Sequence, residues 1–270
     1  MLRGRLLVVA GSDSGGGAGI QADLKASFAM GCYAQTVITA LTAQDTTGVH
    51  GVWPVPPDFV ALQMRVAWGD IGADAVKTGM LGDPALIETV RAVLAQAGPG
   101  LPVVVDPVMV AKGGASLLPD RAVAALRLLV SEAALVTPNA PEAEVLTGLA
   151  VQDEAGLRRA AEALLRSGAK AVLAKGGHLA GAAVTDVLAT PAGELVFHAP
   201  RQPGRHTHGT GCTLASAAAA GLAQGMTLAE SVARAHAYVQ AAIANAPGLG
   251  SGHGPLGHDA GLHGGMQPPA

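Results

Sequence analysis

Short, continuous apolar runs alternate with stretches of helical period along most of the chain. Arg5 to Ala10 holds Leu6-Leu7-Val8-Val9 and predicts a buried strand, followed by a Gly-rich turn and a helix from about Ala18 to Met30. Tyr33 to Leu41 is β-branched and predicts a second strand. Asp58 predicts the cap of a helix with Phe59, Leu62 and Val66 on one face. Ala73 to Lys77 predicts a short strand, and Asp83-Pro84 a helix start that Ile87, Val90 and Leu94 continue. Further strands are predicted over Pro102 to Val105, Ala133 to Thr137 and Ala169 to Ala174. Pro119 and Asp153 open helices, the second with Leu157, Ala161 and Leu164 inward. Ala183 to Leu188 and Glu194 to His198 flank Pro191-Ala192-Gly193 and predict a hairpin. Gly211 to Ala223 and Thr227 to Ala244 predict two helices; the latter has a Thr227/Glu230 capping box and an inward stripe of Val232, Ala235, Val239 and Ala242.

Strand–helix alternation with buried strands predicts an α/β fold, a mostly parallel central sheet with helices on both faces. The chain has no internal repeat and no boundary linker, so residues 1–258 are expected to form a single domain and 259–270 a flexible C-terminal tail. Composition narrows the class. Net charge is −3, charged residues are 14% and aromatics 3%, which removes the basic footprint and the stacking platforms of a nucleic-acid binder. Half the chain is hydrophobic, which excludes disorder. The charge-free stretches Ala26 to Gln44 and Gly209 to Ala229 are too rich in Ser, Thr, Gln, Gly and Ala for membrane spans. Five apolar residues after Arg5 are too few for a signal-peptide core. Together with two unclustered cysteines, this predicts a soluble cytoplasmic protein.

Ligands of such sheets bind beyond the carboxyl ends of the strands, and several segments there have unusual composition. Gly11-Ser12-Asp13-Ser14-Gly15-Gly16-Gly17-Ala18-Gly19 offers bare backbone at a helix start; it lacks the lysine-bearing phosphate-loop pattern and matches the dinucleotide fingerprint only loosely. Asp106 ends a strand, where it could face a metal or phosphate or cap the next loop. Asn139 and Glu142 share a face at a helix start, as a cap or as a Mg²⁺ carboxylate. Lys175 precedes Gly176-Gly177, placed for a phosphate or for solvent. Gly209-Thr210-Gly211 opens the Ala-rich helix with N–H groups suited to an anion, and Cys212 lies in the first turn, where the helix N-terminus should lower its pKa and let it act as a base. Cys32 reads as a small buried hydrophobe.

Taken together, Gly11-Ser12-Asp13 through Asp23, Val37 to Gln44, Lys77-Thr78-Gly79-Met80-Leu81, Asp106-Pro107-Val108-Met109, Thr137-Pro138-Asn139-x-Pro-Glu142, Lys175 to His178, Thr207 to Cys212 and Gly252-His253-Gly254-Pro255 resemble the bacterial hydroxymethylpyrimidine/phosphomethylpyrimidine kinases of the ribokinase-like superfamily. The motifs occur in family order over roughly residues 5–258. The resemblance implies ATP-dependent, Mg²⁺-dependent phosphorylation of 4-amino-5-hydroxymethyl-2-methylpyrimidine and then of its monophosphate, in thiamin synthesis. It implies that Gln44, Gly11, Asp23 and Met80 line the pyrimidine pocket and that Gly209, Thr210 and Gly211 form the anion hole. Cys212 then matches the base, Asp106 and Glu142 the magnesium region, and Asn139 and Lys175 the ATP contacts. Members of the family often pair as homodimers. Gly15, Asp45 and His236 depart from the common pattern; many members carry lysine at the position of His236. A pyridoxal kinase, a nicotinamide-dependent oxidoreductase and a catalytically silent sensor are the competing readings.

Overall fold

Alternating side chains of the first strand divide the molecule into two cores. In β1 (Arg5–Asp13), Leu7 and Val9 enter one apolar cluster, while Leu6, Val8 and Ala10 enter the other. The computed structural model describes residues 3–98, 100–110, 114 and 117–261.

Four further strands run parallel to β1 in a row: β4 (Ala75–Thr78), β5 (Val103–Val105), β6 (Leu135–Val136) and β7 (Val172–Lys175). On its other side β1 pairs in parallel with β2 (Tyr33–Gln44). Antiparallel strands finish both edges: β3 (Val49–Pro54) beside β2, and the hairpin β8 (Ala183–Thr190) and β9 (Gly193–Pro200) beside β7. The order is β3-β2-β1-β4-β5-β6-β7-β8-β9. Chain direction across the sheet reverses at β1, which makes the β1–β4 crevice the expected ligand site.

Helices α2 (Pro57–Asp70), α3 (Pro84–Leu94), α4 (Val123–Ser131), α5 (Ala140–Thr147) and α6 (Glu154–Arg166) bury apolar faces in the first cluster. Helices α1 (Gly19–Ala29), α7 (Thr210–Ala223) and α8 (Leu228–Ala244) pack into the second. Several predicted caps form. Asp83 accepts the Ala85 amide, Asp153 the Gly156 amide, and Thr227 with Glu230 closes a capping box. The predicted inward stripe of α8 is buried at all four positions.

Two expectations need correction. Helix α2 starts at Pro57 with Pro56 as its cap, so Asp58 lies in the first turn, and the buried face is Val60, Ala61 and Met64. Phe59, Leu62 and Val66 face outward, because the two prolines fix the phase of the first turn. Strand β1 runs on to Asp13 through a bulge between Ala10 and Ser12, so the first third of the Gly-rich segment is strand. At the C-terminus, Gly254 pairs with the Thr207–Gly209 turn through His208, and residues 258–261 form a 3-10 turn. Residues 262–270 of the expected tail, and Ala111 to Gly113 of the Asp106 segment, lie outside the described residues.

Candidate active site

The carboxyl ends of the parallel strands deliver one residue after another to a single sheet edge. β1 brings Gly11 and Asp13, β4 leads to Gly79 and Met80, and β5 leads to Asp106; Thr137 and Asn139 follow β6, and β7 ends in Lys175. Helix α7 points its N-terminus at the same edge.

Its cap, Gly209, has φ +80°, and a Cβ there would collide with the Gly17 carbonyl oxygen; only glycine lets the two loops touch. The amides of Gly211 and Cys212 lie in the first turn, where helix geometry supplies no carbonyl partner. Thr210 Oγ1 donates to the Thr207 carbonyl at 2.7 Å and tightens the turn. A Cβ on Gly211 would lie 3.0 Å from Lys175 Nζ and 3.8 Å from Asp106 Oδ2, so the start of α7, the lysine and the aspartate share one space.

Asp106 is buried. Its Oδ1 accepts Lys175 Nζ at 3.1 Å and Thr137 Oγ1 at 3.0 Å, while Oδ2 has no hydrogen bond among the described residues. Burial alone would raise its pKa, but the charges of Lys175 and Lys77 and these hydrogen bonds hold it below the usual carboxylate range. Of the two readings of Asn139 and Glu142, the structure shows the cap. They form a capping box: Asn139 Oδ1 accepts the Glu142 amide at 3.0 Å, and Glu142 Oε2 accepts the Asn139 amide at 2.8 Å. Burial lifts Glu142 to about 7, with Lys175 opposing and Asp106 reinforcing the rise. Lys175 is held above its ordinary range: burial works against its charge, but Asp106 and Glu142 outweigh it.

The donor set can be tested against Mg²⁺. No group of three potential His, Cys, Asp or Glu ligands exists among the described residues, which removes an all-protein cage. An unpaired buried Asp106 oxygen beside Glu142 fits an ion that takes one or two carboxylates and fills the rest of its shell with water and phosphate.

Near Cys212, in the first turn of α7, lies a buried ion pair. Lys77 Nζ sits 2.9 and 3.1 Å from the two Asp23 oxygens, and Ser216 Oγ donates to Asp23 Oδ1 at 2.6 Å. Both charged side chains have 0% exposure. Burial opposes the Lys77 charge, yet Asp23, with Asp106 further off, holds its pKa above the ordinary lysine range. Asp23, expected at the pyrimidine, is therefore not a pocket surface; its carboxylate is consumed by Lys77 and Ser216.

The environment of Cys212 overturns one expectation. Its helix-start position does not lower the thiol. Burial pushes it up to about 12; Lys77 pulls it down, and the carboxylates Asp23 and Asp106 add to the rise. The thiol is neutral at physiological pH. Cys32 is buried and its thiol is pushed up to about 11, in keeping with a small core residue.

On the β1–β2 side, a Cβ on Gly11 would lie 2.7 Å from Met80 Cε, so these two pocket residues are in contact. Gln44, at the end of β2, is half-buried, and its side-chain amide lies 3.1 Å from His208 Nε2. His208 Nε2 also lies 2.9 Å from Asp13 Oδ2. Asp13 anchors the Gly-rich loop by accepting the amides of Gly15, Gly17 and Ala18. Burial would raise its pKa, but His208 and these amides bring it below the usual range. Sequence reasoning assigned no role to Asp13, Lys77, Thr137 or His208. One signal was available: Lys77 directly follows the apolar Ala75-Val76 within β4, where a lysine needs a partner.

The chain matches the family model described as phosphomethylpyrimidine kinase over residues 13–257. It is 51% identical over 254 residues to the hydroxymethylpyrimidine/phosphomethylpyrimidine kinase of Streptomyces coelicolor, covering 94% of this chain and 93% of that protein. It is 53% identical over 257 residues to the thiamine biosynthesis bifunctional protein ThiED of Geobacter sulfurreducens, covering 95% of this chain but only 52% of that longer protein. Among solved structures, the ADP complex of Bacillus subtilis pyridoxal kinase superposes with a TM-score of 0.90 at 35% identity, covering 97% of this chain and 100% of that one. The architecture is thus ribokinase-like, as the motifs implied, and with a family model spanning nearly the whole sheet and its site the chain belongs to the phosphomethylpyrimidine kinase family.

Proposed function

We propose that this protein transfers a phosphoryl group from ATP to the hydroxymethyl oxygen of 4-amino-5-hydroxymethyl-2-methylpyrimidine, and then a second one to the resulting monophosphate, in thiamin synthesis. The observation that carries the reading is the convergence of the Gly209–Cys212 turn, Lys175 and Asp106 at one sheet edge, beside Gly11, Met80 and Gln44. Phosphoryl transfer asks a protein for position and electrostatics more than covalent work. The amides of Gly211 and Cys212, with Thr210 bracing the turn, hold the group in flight. Lys175 and Asn139 hold the nucleotide phosphates. Asp106 and Glu142 hold Mg²⁺, which neutralises phosphate charge when bound. Gly11 and Met80 pack on the ring, and Gln44 reads its polar edge. Asp23 acts at one remove, through Lys77.

Cys212 faces the hydroxymethyl oxygen as a neutral thiol, so its role is to orient the hydroxyl rather than to stand ready as a thiolate. The monophosphate arrives already ionised and depends on it less. Two unpaired cysteines fit a reducing compartment, and we place the protein in the cytoplasm. A second copy of the chain is the proposed cover for the exposed Leu41 and Trp53, which pair across β2 and β3 at the sheet edge.

Product analysis with Mg-ATP and hydroxymethylpyrimidine tests the reading: monophosphate and diphosphate are expected in sequence. The close superposition on a pyridoxal kinase keeps one second reading alive. Faster turnover of pyridoxal in a parallel assay overturns the pyrimidine assignment, and no ADP release with either alcohol leaves a silent sensor.

A further inference from the structure

The anion hole uses every residue of Thr207–Cys212 except the histidine. His208 is buried, with 6% exposure, and its ring lies against the Gly17 backbone so closely that a Cβ on Gly17 would collide with it. Its Nε2 is 2.9 Å from Asp13 Oδ2 and 3.1 Å from the Gln44 amide atom assigned as nitrogen. Asp13 Oδ2 already accepts the amides of Gly17 and Ala18. An ionised carboxylate only accepts, so the proton between it and His208 sits on Nε2. A protonated Nε2 cannot also accept from an amide NH₂. The atom of Gln44 that faces it must then be the oxygen, a choice that only the hydrogen-bond network decides. The other end of the amide agrees. Thr42 Oγ1 gives its single hydrogen to the Ser12 carbonyl at 2.9 Å, and at 3.3 Å from Gln44 it is free to accept an N–H.

So oriented, Gln44 still has one oxygen lone pair and one N–H in hand. A 4-aminopyrimidine edge presents the complement, a ring nitrogen that accepts and an exocyclic amine that donates. We propose that His208 is a specificity-determining positioning residue: by donating Nε2–H towards Asp13 and Gln44 together, it fixes the Gln44 amide so that the site selects ring alcohols bearing an amine beside a ring nitrogen. This rests on the reading of Gln44 as the residue that contacts the pyrimidine.

The test compares kcat/KM for 4-amino-5-hydroxymethyl-2-methylpyrimidine and for its analogue lacking the amine, in the full-length protein with Mg-ATP. Wild type is expected to prefer the amine-bearing alcohol, and Gln44→Ala to erase the preference. His208→Phe keeps a ring against Gly17 but loses the donor; it is expected to cut the preference about tenfold, mostly through KM. His208→Gln, whose amide can replace the Nε2 donor, is expected to restore most of it. In the Gln44→Ala background His208→Phe should add no further loss of preference. A folded His208→Phe protein with wild-type preference overturns the inference, as does an undiminished effect of that change when Gln44 is already alanine. If His208→Phe does not fold, His208→Asn, too short to reach Gln44, takes its place with the same two criteria. A wild type that does not discriminate, or a preference that survives Gln44→Ala, instead sinks the Gln44 reading, and the inference with it.

Discussion

Replacing Lys77 by methionine removes a positive charge from a place with no solvent access while keeping the bulk of the side chain. Asp23 loses its contacts at 2.9 and 3.1 Å and retains only Ser216 among its side-chain partners. Leaving one partner of a buried pair uncompensated costs about 3–5 kcal/mol. Asp23 can escape part of this by taking up a proton. In the unfolded chain its pKa is about 3.9, so carrying a proton in the folded state at pH 7 costs about 1.36 × 3.1, or roughly 4 kcal/mol. That value caps the loss at neutral pH. The sign follows: above about pH 4 the folded variant binds a proton that its unfolded chain does not, so its stability falls as pH rises, by about 1.4 kcal/mol per unit. The wild-type Lys77 pKa is raised, so its charge is lost only far above neutrality; burial also raises Asp23, against Lys77 and Ser216, so the wild type shares part of this slope and the difference between the two proteins is smaller than the full slope. The penalty should thus be about 3–4 kcal/mol at pH 7 and smaller at pH 5, by up to about 2.7 kcal/mol. Urea unfolding of both proteins at the two pH values measures it, and Asp23→Leu added to Lys77→Met should recover most of the loss. A penalty below about 1 kcal/mol at pH 7, or one equal at both pH values, refutes the reasoning.

Other consequences are accessible to simple assays. With the Cys212 thiol at about 12 against about 8.5 for a free thiol, its thiolate fraction at pH 7 is about 3,000-fold lower; higher intrinsic nucleophilicity returns part of this, so alkylation should run about 100-fold slower than for free cysteine. Iodoacetamide labelling followed by peptide mass spectrometry reads that rate, and labelling as fast as free cysteine contradicts the neutral thiol. Gly211→Ala puts a methyl group 3.0 Å from Lys175 Nζ and should raise KM for ATP about tenfold with the pyrimidine KM unchanged, the worth of one charge-assisted hydrogen bond; steady-state kinetics with each substrate varied decides it. Trp53→Glu should shift the protein from dimer to monomer in light scattering after gel filtration, and an unchanged mass removes the β2–β3 edge as the interface.

What the chain discloses by itself is mostly local. Asp83, Asp153 and Thr227 cap helices because a short polar side chain before a periodic apolar run has little else to do, and the Pro191-Ala192-Gly193 hairpin is equally self-contained. Asn139 and Glu142 were legible as a pair three apart, and the structure shows them capping each other while facing Lys175. Strand β3 was not legible, since Val49-His50-Gly51-Val52-Trp53-Pro54 lies exposed on an edge and needs no alternation. The outward phase of Phe59, Leu62 and Val66 depends on where the helix starts, a matter of one residue. Long-range charge was invisible. A helix start can be read at Cys212, but Asp23 is 189 positions away along the chain and Asp106 is 106, and those carboxylates, with burial, decide the thiol. The partners of Lys77 and His208 are hidden for the same reason.

The charges at the sheet edge argue for a divalent cation in the working enzyme. Lys77 is spent on Asp23, and Lys175 already gives a hydrogen bond to Asp106. Glu142 adds a carboxylate that burial and Asp106 hold half-protonated near pH 7, and Asp106 Oδ2 is left without a partner. A nucleotide's phosphates bring several more negative charges into this space. The Gly211 and Cys212 amides carry only the partial charge of a helix end, roughly half an elementary unit. Among the described residues one lysine, already shared, stands at this edge and cannot balance the phosphates and two carboxylates together; in a poorly solvated site each uncompensated charge pair costs several kcal/mol. A divalent ion held by Asp106 and Glu142 would remove the deficit. Chelation by EDTA should therefore abolish ADP release, and Asp106→Asn should raise the Mg²⁺ concentration required for half-maximal rate. Full turnover in EDTA, with Lys175 and the helix amides as the positive groups at this edge among the described residues, shows this charge balance to be wrong.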